Sequence, residues 1–129
     1  MNEIEIKRLH EMLNEANIPH TFTDDMFKDY SLYPSYQIVI EKDGTRLCDA
    51  IYHYGSYGYW VGLLEIMGGL TEEERELDEV LGCLTADEVF KRFKYCYENN
   101  TSIYKEVINN EWKCKKSIWY VGDWTLYVV

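Results

Sequence analysis

Asp49, His53 and Ser56 stand within eight positions of one another, in the run Cys48-Asp49-Ala50-Ile51-Tyr52-His53-Tyr54-Gly55-Ser56-Tyr57-Gly58. A carboxylate, an imidazole and a hydroxyl are the residue types of acid–base and nucleophilic chemistry, and Cys48 adds a second nucleophile. Spacing limits what they can do. On an extended strand residues 48 and 53 point to opposite faces, which separates Cys48 from His53 unless a bulge intervenes. Asp49 and His53 share a face but lie about 13 Å apart along it, so a third element would have to come between them. Ser56 lies in no GxSxG nucleophile elbow. Gly55-Ser56-Tyr57-Gly58 lacks both the Lys-Ser/Thr of a phosphate loop and the third glycine of a dinucleotide fingerprint. His20, Cys48, Asp49 and His53 would converge on a metal only if the segment 18–23 neighboured them, and hydrogen-bonded structural histidines are the expectation. No catalytic residue, metal or cofactor is therefore assigned. The small-molecule reading that survives is a pocket lined by Asp49, His53, Tyr54, Ser56 and Tyr57.

The second concentration of chemistry is charge. The chain of 129 residues carries a formal net charge of -10. Residues 1–70 hold 11 acidic and 5 basic side chains, residues 71–90 hold 8 and 1, and residues 91–129 hold 4 and 7. An acidic field repels phosphate, which argues against direct nucleic-acid binding. Glycosidase chemistry needs two carboxylates flanking a sugar-sized cleft, and a solvated helical face explains Glu72, Glu73, Glu74, Glu76, Asp78 and Glu79 more simply. That face would suit a partner protein with a basic surface. The leading expectation is thus a non-enzymatic protein-binding module, an inhibitor or nucleic-acid mimic, with the Asp49 and His53 pocket as its alternative.

These residues must be positioned by a fold of one α+β domain, spanning 1–129. Asn2 with Glu5 has the form of a capping box, and Ile6, Leu9, Leu13 and Ala16 give one apolar face until Asn17 and Pro19 end the helix. A short edge strand is expected over Ile18 to Thr23. Two strands flank Asp43-Gly44, whose positive-φ preference makes a type I′ turn. An unbroken register from that turn pairs Glu41 with Arg46, Ile40 with Leu47, Val39 with Cys48, Ile38 with Asp49 and Tyr36 with Ile51. It places Asp49 on the apolar face, so Asp49 is functional, locally satisfied, or the sign of a bulge. Leu63, Leu64 and Met67 read as one helical turn. Thr71 with Glu74 opens a helix that runs to Gly82 with Leu77, Val80 and Leu81 inward, and Thr85 with Glu88 opens another to Asn99-Asn100. Ile103–Ile108, Glu111–Val121 and Trp124–Val129 read as a three-strand meander that completes the sheet or serves as a homodimer surface. The expected architecture is a mainly antiparallel sheet, the hairpin 36–54 plus these strands, under the helices at 3–16 and 86–99.

The stretch 48–58 quoted above, followed by GLLEIMGGLTEEE and LTADEVFKRF, resembles small proteins encoded in prophages and mobile elements of gut bacteria, over about Lys7 to Glu98. The resemblance implies a phage-derived, cytosolic setting with a host or phage protein as partner, and no mechanism. The tail from Thr101 to Val129 departs from the usual pattern of that group. A cytoplasmic location is also expected from the residues. Glu3 and Glu5 stand where an export signal needs basic residues, no apolar run spans a bilayer, and Cys48, Cys83, Cys96 and Cys114 lie 35, 13 and 18 positions apart, without a CxxC pair.

Overall fold

The computed structural model describes residues 3–24 and 34–106. Their order is α1 (Ile4–Glu15), β1 (Thr21–Asp24), β2 (Tyr36–Lys42), β3 (Thr45–Tyr52), a short 3-10 turn (Tyr59–Val61), β4 (Leu64–Met67), α2 (Glu72–Leu77), β5 (Val80–Leu84) and α3 (Ala86–Asn99). The strands form one antiparallel sheet in chain order, β1-β2-β3-β4-β5. The architecture is α+β, as expected, but β1, β4 and β5 flank the hairpin. The expected strands from Glu111 onward lie outside the described residues, and of Ile103–Ile108 the described part makes one parallel bridge, Ile103 with Leu70.

One face of the sheet presents Ile38, Ile40, Cys48, Ala50, Leu64 and Ile66 to α1 and α3, which bury Ile6, Leu9 and Leu13 and Val89, Phe93 and Cys96 in return. Capping follows the sequence closely in α2 and α3. Thr71 with Glu74 and Thr85 with Glu88 close reciprocal capping boxes, and Asn100 ends α3 in the left-handed conformation, φ 52°. In α1 Asn17 does the same at φ 58°. The expected box at its start is not used: Glu3 is the N-cap without a side-chain bond, and Glu5 instead accepts the amide hydrogen of Ala86 at 2.7 Å, capping α3 from the neighbouring helix.

Asp43 and Gly44 take positive φ as the type I′ turn requires. Glu41 pairs with Arg46 as expected, but the register then shifts between Ile40 and Glu41, so Ile40 faces Cys48, Val39 faces Asp49, Ile38 faces Ala50 and Tyr36 faces Tyr52. This corrects the unbroken register. The bulge leaves Leu47 as the extra residue, turns Cys48 into the core, and moves Asp49 to the face away from the helices, where Gln37 Nε2 donates to Oδ2 at 3.0 Å.

Two other expectations are corrected. Leu64–Met67 is a strand, since Leu64 and Ile66 alternate inward against β3 and β5. The helix opened by Thr71 stops at Leu77 because Asp78 is extended, φ -165°, and Val80 to Leu84 become an edge strand. Leu77 is therefore not inward but 88% exposed.

Candidate functional site

Of the six acidic residues singled out, five share the outer surface of α2 and its exit. Glu72, Glu73, Glu76, Asp78 and Glu79 are exposed, with Leu77 standing among them. Glu74 is not part of that surface. Its carboxylate takes both guanidinium nitrogens of Arg92, at 2.8 and 3.0 Å, and closes the capping box on the Thr71 amide at 2.9 Å. Arg92 and then Thr71 hold Glu74 below the usual carboxylate range. Asp78 Oδ1 accepts from the amide of Val80 at 3.4 Å, where the chain leaves α2.

The residues of the tyrosine-rich turn do local work. Ser56 Oγ accepts from the amide of His53 at 3.2 Å and donates to its carbonyl at 2.8 Å, and His53 Nδ1 donates to the Tyr54 carbonyl at 2.7 Å. Gly55 and Gly58 take positive φ. Tyr57 lies over β5: a Cβ at Gly82 would stand 2.2 Å from the Cβ of Tyr57, and the Tyr57 carbonyl accepts from Cys83 at 3.2 Å. The rings of Tyr54, Tyr57 and Trp60 are exposed, Tyr54 and Trp60 in edge contact at 5.5 Å.

Asp49 is not gathered with that turn. It lines a separate cavity of about 290 Å³ with Arg46, Leu47, Cys48, Met67, Gly68, Arg75, Glu79 and Ser102. Reading the sequence missed this grouping. Its walls come from β3, the β4–α2 connection, α2 with its exit, and the segment after α3, and no local motif joins them.

His20 meets His10 of α1. The carbonyl of Ile18 can only accept, so His20 Nδ1 donates to it at 2.8 Å, leaving Nε2 to accept from His10 Nδ1 at 2.8 Å. His10 Nε2 then accepts from Asn14 Nδ2 at 3.4 Å, and the His10 ring stacks on Phe22 at 4.3 Å. In this chain of bonds burial, followed by the neighbouring His20, pushes the His10 pKa down. Among the described residues no group of three or more His, Cys, Asp or Glu side chains could hold a metal ion. Cys48 and Cys96 are buried free thiols on β3 and α3, and the neighbouring Cys96 thiol together with burial pushes the Cys48 thiol up, while Cys83 is exposed. Among the described residues no helix is long and apolar enough to cross a membrane.

The chain matches no protein-family model, no curated protein and no solved structure.

Proposed function

We propose that the protein is a non-enzymatic, cytoplasmic protein-binding module of phage origin that docks on the basic surface of a host or phage protein through the outer face of α2. The observation that carries this reading is Leu77, 88% exposed within Glu72, Glu73, Glu76, Asp78 and Glu79. An apolar anchor inside a charged rim is the arrangement of a protein–protein contact, in which the anchor fills a pocket and the carboxylates steer the encounter. A nucleic-acid mimic would need the carboxylates alone, so the leucine favours a partner with an apolar pocket bordered by Lys or Arg. The side chains first considered for catalysis support the same reading from the other side, since His53 and Ser56 are engaged in holding their own turn.

The test compares capture from nuclease-treated host lysate by three forms of the full chain: the native sequence, Leu77→Asp, and a variant with Glu72, Glu73, Glu76, Asp78 and Glu79 changed to their amides. Glu74 is retained because it is structural. The expected result is a protein retained by the native chain, released as salt rises, and lost from both variants. Equal capture by all three would overturn the reading.

A further inference from the structure

The cavity beside Asp49 carries an inference beyond partner docking. Four segments are held around it by contacts that leave little freedom. Gly68, φ 76°, lies so close against β3 that a Cβ there would stand 2.4 Å from the Leu47 carbonyl oxygen and 2.8 Å from Cys48 Cα. The segment after α3 is pinned beside it, with the amide of Gly69 donating to the Ser102 carbonyl at 2.8 Å and that of Tyr104 to the Leu70 carbonyl at 2.9 Å. The Glu74–Arg92 pair sets the roll of α2, which brings the next residue, Arg75, to the cavity wall. The β3 bulge places Arg46 and Asp49 on the same wall.

The charges on this wall are balanced but not paired with each other. Among the described residues the ion pairs are Arg8 with Glu5 and Asp87, Arg92 with Glu74, and Lys94 with Glu98. Arg46, Arg75 and Glu79 have no ion-pair partner in that set, and Asp49 has only the neutral Gln37 amide on Oδ2. Two guanidinium forks can take a carboxylate or phosphate. Two carboxylates on the same small wall then oppose a purely anionic ligand and offer a seat for an ammonium group. Leu47 and Met67 supply the apolar part of the lining. A volume of about 290 Å³ lies at the lower end of small-molecule sites, which run from roughly 300 Å³ upward.

We propose that this cavity binds a small amino-carboxylate zwitterion, a free amino acid or a dipeptide, with its carboxylate on Arg46 and Arg75 and its ammonium group toward Asp49 and Glu79. The site is independent of the α2 docking face except for Glu79, which belongs to both.

Calorimetric titration of the full chain with the common amino acids and glycylglycine, alongside inorganic phosphate and succinate, tests it. At least one zwitterion is expected to bind saturably, with phosphate and succinate about tenfold weaker or more, and with Arg46→Gln and Arg75→Gln each weakening the zwitterion by about tenfold. Glu72→Gln, on the outer face of α2, should leave it unchanged. Both arginines are exposed, so these variants keep the fold, and amide shifts of Gly68 and Ser102 during titration of the native chain give a second readout that needs no variant. The proposal is overturned if no zwitterion binds more tightly than about 10 mM, if phosphate or succinate binds better than every zwitterion, or if the arginine variants bind like the native chain.

Discussion

Arg92 and Glu74 meet fork to fork, Nη1 to Oε1 at 2.8 Å and Nη2 to Oε2 at 3.0 Å, and the same Nη1 donates to the Gly69 carbonyl at 3.0 Å. The guanidinium also lies over the Tyr104 ring, 4.9 Å from its centre. One side chain from α3, its surface only 12% exposed, thus ties down α2, the turn before it and the segment that follows α3.

Removing either partner strands the other in a half-buried place. Glu74→Gln is expected to destabilise the fold by on the order of 2 kcal/mol, and Arg92→Met by at least as much, because it leaves the carboxylate without its counter-charge and the Gly69 carbonyl without the Arg92 donor. Urea unfolding would measure both. Neutralising exposed Glu73 in the same way should change stability by less than about 0.5 kcal/mol.

That contrast shows how far the sequence could be read. Capping boxes at Thr71 and Thr85, the Asp43-Gly44 turn and the left-handed Asn17 and Asn100 are local, and each was legible because two or three adjacent residues decide it. Within the acidic run the capping box with Thr71 marks Glu74, but its ion pair with Arg92, 18 positions on, has no local sign. The β3 bulge left one trace, the misplaced carboxylate of Asp49 in an unbroken register. Leu64–Met67 and Val80–Leu84 are largely apolar segments of four and five residues, too short for periodicity to separate strand from helix. The cavity had no trace at all, since its walls come from separate segments.

Gly68→Ala is expected to cost about 2 to 4 kcal/mol, combining a left-handed backbone with a methyl group driven into β3. Gly44→Ala, also at positive φ but with nothing within 4 Å of its Cβ, should cost less than that. Thermal or urea midpoints of the two variants would separate crowding from backbone preference.

The His10–His20 chain gives a pH dependence of definite sign. The native state lowers the His10 pKa, so the unfolded chain binds more protons as pH falls below about 6.5. The stability it contributes is complete above that value and is lost as pH falls toward the lower native one. Glu11 opposes the shift and His20 reinforces it. His10→Gln should flatten this limb of a plot of urea midpoint against pH. A separate loss that sets in as pH falls through the ordinary glutamate range of about 4.5, where the unfolded chain takes up the Glu74 proton and the fold does not, should survive in His10→Gln and shrink in Glu74→Gln.

Thiol labelling should divide the cysteines by burial. In a Cys114→Ser background, Cys83 is expected to react with a water-soluble disulfide reagent at the rate of an exposed thiol. Cys48 and Cys96 should react only as fast as the protein opens. Fast labelling of all three under native conditions would contradict the closed β3–α3 interface.

Because each described strand pairs only with its neighbours along the chain, the sheet can assemble pair by pair, each closure spanning no more than about a dozen residues. α1 is the exception. Its carboxylate at Glu5 waits for the amide of Ala86, 81 positions later, and Arg8 waits for Asp87. During synthesis α1 is made well before its helical partner, so Ile6, Leu9 and Leu13 are covered only in part, by β2 and β3, until α3 has emerged. The interval of greatest aggregation hazard is therefore set by the distance between the two helices that share the core.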